Sequence, residues 1–209
     1  MNRLIKKLPP LAMQAAMIVL VACSVGDPTS PTPRLSAGLQ QQLLPNGEVS
    51  QVALDLTPAD TQFATLALRK NISAWYAFGP HKLYVPAYVI CDPGTSGYGL
   101  SYWLQPCKVL KGVGKVNVTV KYWTDSRGYA RAEFGPNLRF HPTTGYVELH
   151  LMDALGSRAT SSAILHCIDG TEICVNESAT DPLVVTHRDP ATGWVWRIIR
   201  HFSGYNVWA

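Results

Sequence analysis

The segment KVNVTVKY (115–122) shows the clearest alternation in the chain. Its valines and Tyr122 fall on one side of an extended backbone, and its Lys, Asn and Thr residues fall on the other. Because successive side chains of a strand point to opposite faces, this pattern predicts a β-strand with one buried face. Tyr122 suits such a strand, since aromatic side chains pack well on a half-buried pleated surface.

Short segments of the same character lie on both sides of this strand. They are rich in Val, Tyr, Trp and Leu, and none keeps a helical apolar period beyond two turns. Many short strands separated by turn residues are typical of a β-sandwich, so we predict an all-β fold, a single antiparallel immunoglobulin-like sandwich over residues 48–209. The predicted strands are 49–56, 62–69, 73–78, 82–90, 98–105, 114–123, 128–134, 146–152, 162–168, 172–175, 183–187, 193–201 and 205–208.

The N terminus has the layout of a lipoprotein signal sequence. A basic start precedes an apolar run over 11–22, which is too short for a comfortable membrane span and suits a signal-peptide core. The run ends in Leu20-Val21-Ala22-Cys23, which resembles the bacterial lipobox; the alternative is an ordinary signal peptide with a chance cysteine. We predict a signal peptide over 1–22 and lipid attachment at Cys23, where several acyl chains would give a stable anchor.

A Pro- and Ser-rich segment over 23–47 follows the predicted lipid attachment site. Pro28, Pro31 and Pro33 favour a stiff, extended linker that would hold the folded part away from the membrane. Ser24, directly after the lipobox, resembles the pattern that sorts lipoproteins to the outer membrane. We therefore predict the periplasmic side of a bacterial cell envelope, with the outer membrane favoured over the inner.

The charge balance argues against a nucleic-acid partner. Of the 18 Lys and Arg residues, Arg3, Lys6 and Lys7 lie in the first 23 residues, where no acid occurs. The rest of the chain is therefore close to neutral, with 15 basic and 14 acidic residues. Binding to nucleic acid requires a basic face on the folded part, and this balance predicts none.

The four cysteines after Cys23, which are Cys91, Cys107, Cys167 and Cys174, predict two disulfides in an exported protein. Three connectivities are open, and we favour the pairing of neighbours in sequence. Cys167 and Cys174 flank a predicted hairpin loop over 169–172 with an Asp-Gly turn signal, which places them opposite each other within disulfide reach. Cys91 and Cys107 would then close a Gly-rich loop. A four-cysteine zinc site is the weaker alternative, because no CxxC spacing is present.

The stretch FGPNLRFHP (134–142), followed by an alternating apolar strand from Tyr146, resembles ZU5-type domains, the β-sandwich modules of ankyrins, netrin receptors and death-domain adaptors. The strand that leads into Val85-Pro86-Ala87 and the terminal His-Phe-Ser are similar to that family as well. The chain departs from the pattern at Asn137 and after Ala87, where the family has glycines. The resemblance covers about 73–209 and implies a ZU5-like sandwich.

The resemblance also raises the question of self-cleavage at His201-Phe202-Ser203. In cleaving relatives a serine hydroxyl attacks the preceding carbonyl, and a histidine two residues earlier moves the proton. Here Ser203 would be the nucleophile, Phe202 would carry the carbonyl and His201 would be the base. The alternative, which we favour, is an ordinary strand in which His201 is a surface or edge residue.

No other motif predicts a reaction, a metal site or a cofactor, so we expect a protein that is not an enzyme. The chain holds more Trp and Tyr than a small sandwich buries, and Tyr98, Tyr102 and Trp103 on the predicted disulfide loop are the candidate interface. The alternative is that the aromatic side chains plug the ends of the sandwich. We predict a lipid-anchored binding or scaffold protein, an extrinsic accessory subunit of an envelope assembly with protein partners. A carbohydrate-binding module with a glycan partner is the alternative.

Overall fold

The computed structural model describes residues 39–43, 49–53, 60–125, 127–168 and 173–209. The predicted signal peptide, Cys23, most of the predicted linker and the predicted loop over 169–172 lie outside the described residues. The strands, in chain order, are β1 Leu39–Leu43, β2 Val49–Ala53, β3 Gln62–Arg69, β4 Ala74–Phe78, β5 His81–Val85, β6 Lys115–Thr124, β7 Ala130–Gly135, β8 Val147–Met152, β9 Ala163–Cys167, β10 Cys174–Val175, β11 His187–Asp189, β12 Trp194–Ile199 and β13 Gly204–Trp208.

These strands form two packed sheets, which confirms the predicted all-β sandwich. The larger sheet has the order β2-β1-β10-β9-β13-β7-β6-β3, and the smaller has the order β11-β12-β8-β5-β4. Neighbouring strands pair antiparallel except β1 and β10, which are parallel. β1 lies inside the range 23–47 that the sequence predicts as a linker, so the larger sheet includes residues that precede the predicted sandwich.

The core lies between the sheets and follows the alternation of each strand. On β6 the side chains of Val118, Val120 and Tyr122 are buried, as the sequence predicts, and on β8 Leu149 and Leu151 face them from the smaller sheet. Full burial of one such side chain contributes about 1.5–3 kcal/mol. The inner face of each sheet is therefore mainly apolar, although His81 and Arg197 are buried on the inner face of the smaller sheet, and the outer face of the smaller sheet keeps polar and aromatic side chains.

The helices are short. Helix α1, Ala154–Arg158, begins at Asp153, whose carboxylate accepts hydrogen bonds from Gly156 N and from Ala130 N on β7. Two 3₁₀ helices, Glu177–Ala179 and Pro182–Val184, follow β10. Within the described residues, none of the helices has the length and apolar character needed to cross a bilayer.

Three predicted strands differ from the structure. Residues 98–105 form turns, with Tyr102 N–H donating to Gly99 O at 2.9 Å, and Gly99 has a φ of 117° that favours glycine. The strand predicted over 183–187 is a 3₁₀ helix at its start, because Asp181 caps Pro182–Val184. The strand predicted over 82–90 ends at Val85, since Pro86 follows directly.

Candidate functional site

The tripeptide His201-Phe202-Ser203 lies where the chain crosses from one sheet to the other. β12 belongs to the smaller sheet and β13 to the larger, and residues 200–203 connect them. Phe202 N–H donates to Leu138 O at 2.7 Å, which ties the crossing to the segment that follows β7. The sequence pattern that suggested a reactive strand end therefore marks a corner of the sandwich.

All three side chains of the tripeptide are buried. His201 and Phe202 have no exposed surface, and Ser203 is 1% exposed. The prediction that His201 is a surface or edge residue is wrong, because the crossing carries it under the loop between Cys91 and Cys107 rather than along the edge of β12. Phe202 packs in the core with its ring 4.8 Å from that of Phe134, in a stacked arrangement.

The two disulfides have the pairing that the sequence favours. Cys91 bonds to Cys107, and Cys167 bonds to Cys174. Cys167 and Cys174 are direct partners in the β9–β10 register, as the predicted hairpin requires. The Cys91–Cys107 loop lies over the crossing, where Arg139 donates hydrogen bonds to Tyr102 O and, at 2.8 Å, to Gln105 O.

Trp103 on the Cys91–Cys107 loop faces inward. Its ring stacks on His201 with centroids 3.6 Å apart, and it meets His166 edge-on at 4.9 Å. Trp103 is only 7% exposed, so it does not present its ring to solvent as the candidate interface requires. Of the three aromatic residues nominated on this loop, Tyr102 is exposed and Tyr98 is partly buried.

Tyr98 completes the cover over His201. Its hydroxyl donates to the carbonyl of Phe202, and it lies 3.4 Å from Nδ1 of His201. Tyr205 O–H donates to His201 O at 2.6 Å from the other side. The structure thus brings together the tripeptide and the aromatic loop, which the sequence analysis nominated separately.

A buried carboxylate lies at the centre of this region. Glu177 Oε1 is 3.0 Å from His201 Nε2 and 3.8 Å from His166 Nδ1, and Glu177 Oε2 accepts from the guanidinium of Arg197. All four side chains are less than 9% exposed. Glu177 comes from the first 3₁₀ helix, His166 from β9 and Arg197 from β12, so three elements of the fold contribute side chains around the carboxylate of Glu177.

The electrostatics keep Glu177 ionised and His166 neutral. Burial raises the pKa of Glu177, but the hydrogen bond with His201 and the charge of Arg197 outweigh it and hold the pKa at about 2. Burial, followed by the electrostatic effect of His201, lowers the pKa of His166 to about 3, although Glu177 raises it. At neutral pH the site therefore contains a carboxylate, a guanidinium and an uncharged His166.

Cavities open on both sides of Trp103. One of about 370 Å³ is lined by residues that include Tyr98, Trp103 and His166. A smaller one of about 70 Å³ is lined by residues that include Trp103, Glu177 and Arg200. Sequence reasoning missed this cluster because its members are far apart in the chain and share no motif spacing.

The second candidate region is the outer side of the smaller sheet. We call it the aromatic face, and its members are Trp75, Lys82, Tyr84, His150, Trp194 and Trp196. Lys82, His150, Trp196 and His187 are direct partners across β5, β8, β12 and β11, so they form one row across the sheet. Three strand spacings give this row a length of about 14 Å.

The rings of the aromatic face contact one another. The His150 ring stacks on Trp196 at 5.6 Å and meets the Trp75 ring edge-on at 4.9 Å. The ammonium of Lys82 lies 4.7 Å from the Trp75 ring and 4.6 Å from the Trp194 ring. These contacts hold the side chains in place, and Trp75 remains 49% exposed.

Comparisons with protein-family models, with curated proteins and with solved structures find no match for this chain. The resemblance to ZU5-type domains stays a prediction. Any assignment of function therefore depends on the chemistry of the cluster around Glu177 and of the aromatic face.

Proposed function

We propose that the protein is a non-enzymatic, lipid-anchored binding or scaffold protein on the periplasmic side of a bacterial envelope membrane, with the outer membrane favoured. In this proposal it is an extrinsic subunit that binds a protein partner through the aromatic face. The lipobox at Cys23 supports the anchor, and the two disulfides support an oxidising compartment outside the cytoplasm.

The observation that carries the proposal is a set of ordered aromatic rings that solvent reaches on the outer side of the smaller sheet. The outer side of an antiparallel sheet commonly carries polar side chains. Here Trp75 is exposed, Trp194 and Trp196 are half-buried, and contacts with His150 and Lys82 fix their orientation. Large aromatic side chains that are already ordered bind at a low cost in conformational entropy, which is why they dominate protein interfaces.

The test is capture of the partner from native membranes by crosslinking and mass spectrometry, with the full-length lipidated chain as bait. We expect a Trp75→Ala, Trp196→Ala variant to lose about 2 kcal/mol of binding free energy, or about 30-fold in Kd, once the captured partner is purified. Phe63→Ala is the matched control, since Phe63 is an exposed aromatic residue on β3 of the other sheet. Equal loss in both variants, or no loss in either, would contradict the proposal.

A glycan is the second candidate occupant of the aromatic face. Rings that lie side by side on a flat sheet, with Lys82 and Glu148 beside them, could stack on sugar rings and bond to hydroxyls. Binding assays with purified envelope glycans, including peptidoglycan, distinguish a glycan from a protein partner. Saturable binding that is lost in the Trp75→Ala, Trp196→Ala variant would favour the glycan, and the absence of binding to every member of a glycan array would favour the protein partner.

We propose further that the bond between Phe202 and Ser203 is not cut. The backbone on both sides of it is hydrogen-bonded, through Phe202 N–H to Leu138 O and through Phe134 N–H to Ser203 O at 3.1 Å. Among the described residues, Tyr88 is the one non-glycine position with positive φ. Phe202 and Ser203 therefore do not have the strain of a left-handed backbone conformation. A single intact mass, unchanged in Ser203→Ala, is the expected result. Loss of the fragment 203–209 in the wild type alone would establish cleavage.

A further inference from the structure

The side chains of His166, Glu177 and His201 converge on one point under Trp103. One ligand-type atom of each residue, a ring nitrogen or a carboxylate oxygen, lies within 4.8 Å of the other two. The three side chains are 2%, 8% and 0% exposed respectively. Two imidazoles and one carboxylate are a common ligand set for Zn²⁺ and related divalent metals.

One atom in this group has no hydrogen-bond partner in the part of the chain that the structure describes. Nδ1 of His166 is buried and faces Glu177 Oε1 at 3.8 Å, which is too long for a hydrogen bond. A buried polar atom left without a partner costs about 1–3 kcal/mol. A cation bound between His166 Nδ1 and Glu177 Oε1 would give both atoms a partner.

The surrounding groups orient the three ligands. Arg197 donates to Glu177 Oε2 and, at 2.7 Å, to Ile164 O, which fixes the carboxylate and leaves Oε1 directed at the site. Tyr98 O–H lies 3.4 Å from Nδ1 of His201, the ring nitrogen that faces away from Glu177. Such outer partners hold metal ligands in position.

We propose that His166, Glu177 and His201 bind one divalent transition-metal ion of the Zn²⁺ class, in a closed site covered by Trp103. The ion would link β9, the first 3₁₀ helix and the crossing between the sheets. Metal binding through Nε2 requires the neutral form of His201 that carries its proton on Nδ1, beside the Tyr98 oxygen, so the proton that now joins Nε2 to Glu177 Oε1 moves to Nδ1 or to solvent. Since Arg197 places a positive charge nearby, the fourth ligand would be an anion such as hydroxide, which metal-bound water forms near neutral pH.

Room for entry and for the fourth ligand exists beside Trp103. The cavity of about 370 Å³ reaches His166, and the cavity of about 70 Å³ reaches Glu177. The proposal does not rest on partner binding at the aromatic face, which lies on the outer side of the smaller sheet.

The test uses the full chain after dialysis against EDTA, with Zn²⁺ alone as the titrant in isothermal calorimetry. We expect one ion per chain, at least tenfold weaker binding in Glu177→Gln and His166→Gln, and unchanged binding in His81→Gln. His81 is the matched control because it is a buried histidine that contacts none of the three ligands in the contacts described above. Circular dichroism checks that each variant keeps the β-sheet signal of the wild type.

Two measurements on the wild type keep the test decisive if a variant fails to fold. Co²⁺ in place of Zn²⁺ should give the visible absorption of a site with nitrogen and oxygen ligands, and histidine-ring NMR should shift two of the six histidines. No binding at micromolar metal would overturn the proposal. Binding that survives in both folded variants, or NMR shifts confined to other histidines, would overturn it equally.

Discussion

Acid should destabilise the protein through one buried histidine in β5. His81 is 5% exposed, and its Nδ1 accepts a hydrogen bond from Met152 N at 3.0 Å, so the ring is uncharged in this position. Burial lowers the pKa of His81 from 6.5 to about 4. Below pH 6.5 the unfolded chain therefore binds a proton that the folded chain does not, and the free energy of unfolding falls as the pH falls.

The size of this effect follows from the difference between the two pKa values. Each pH unit between 6.5 and about 4 removes about 1.4 kcal/mol, which gives a total loss of about 3 kcal/mol. Above pH 6.5 neither state is charged at His81, and below pH 4 both are, so the loss is confined to that window. The pKa values of His166 and Glu177 are also lowered in the folded chain, so both groups add to the pH dependence and only a comparison with a variant isolates His81.

The variant for this comparison is His81→Gln, whose amide oxygen keeps an acceptor for Met152 N without a proton to bind in this range. Urea unfolding at pH 7, 6, 5 and 4 gives the free energy of unfolding of both proteins. We expect the stability of the variant relative to the wild type to rise by about 3 kcal/mol between pH 7 and 4. A His81→Gln curve that runs parallel to the wild-type curve over this pH range would refute the reasoning.

Substitutions at three further places in the fold have outcomes that the structure determines. Asp153→Ala removes a helix cap and a bond to a strand amide together, and should cost about 2 kcal/mol in urea unfolding, whereas Asp153→Asn should recover part of it. Cys91→Ser with Cys107→Ser opens the disulfide loop and should cost about 3 kcal/mol, with a red-shifted tryptophan fluorescence as the loop exposes its indole. Phe202→Ala leaves a cavity among core rings and should cost about 3–5 kcal/mol, measured as a lower midpoint with an unchanged m-value.

Much of the sandwich follows from local pattern. β3 has the predicted bounds, and β6 differs by one residue at each end, because Leu66 and Leu68 on β3 and the valines of β6 alternate with more exposed residues, and one register buries them together. The pairing of Cys167 with Cys174 was predictable for the same reason, since an Asp-Gly turn sets which residues lie opposite each other. These features depend on residues that are close in sequence.

Features that depend on distant residues were not predictable. The aromatic pattern over 98–105 suits a strand, but the disulfide and the glycines make the segment a loop, and its tryptophan has a buried histidine ring to stack on. Glu177 lies among polar residues and suggests a solvent-exposed loop. Its burial becomes favourable only when Arg197 and His201, which lie 20 and 24 residues further along the chain, reach its carboxylate.

The arrangement of the disulfides has a mechanical consequence. Cys167–Cys174 joins two neighbouring strands of one sheet, and Cys91–Cys107 closes a single loop, with sequence separations of 7 and 16. Among the described residues, the two sheets are therefore joined by side-chain packing, by a few hydrogen bonds such as that from Arg197 to Ile164 O, and by the connecting chain, but by no disulfide. A force that pulls one sheet past the other would act on these contacts, and the layers would slide apart while both sulfur–sulfur bonds stayed whole.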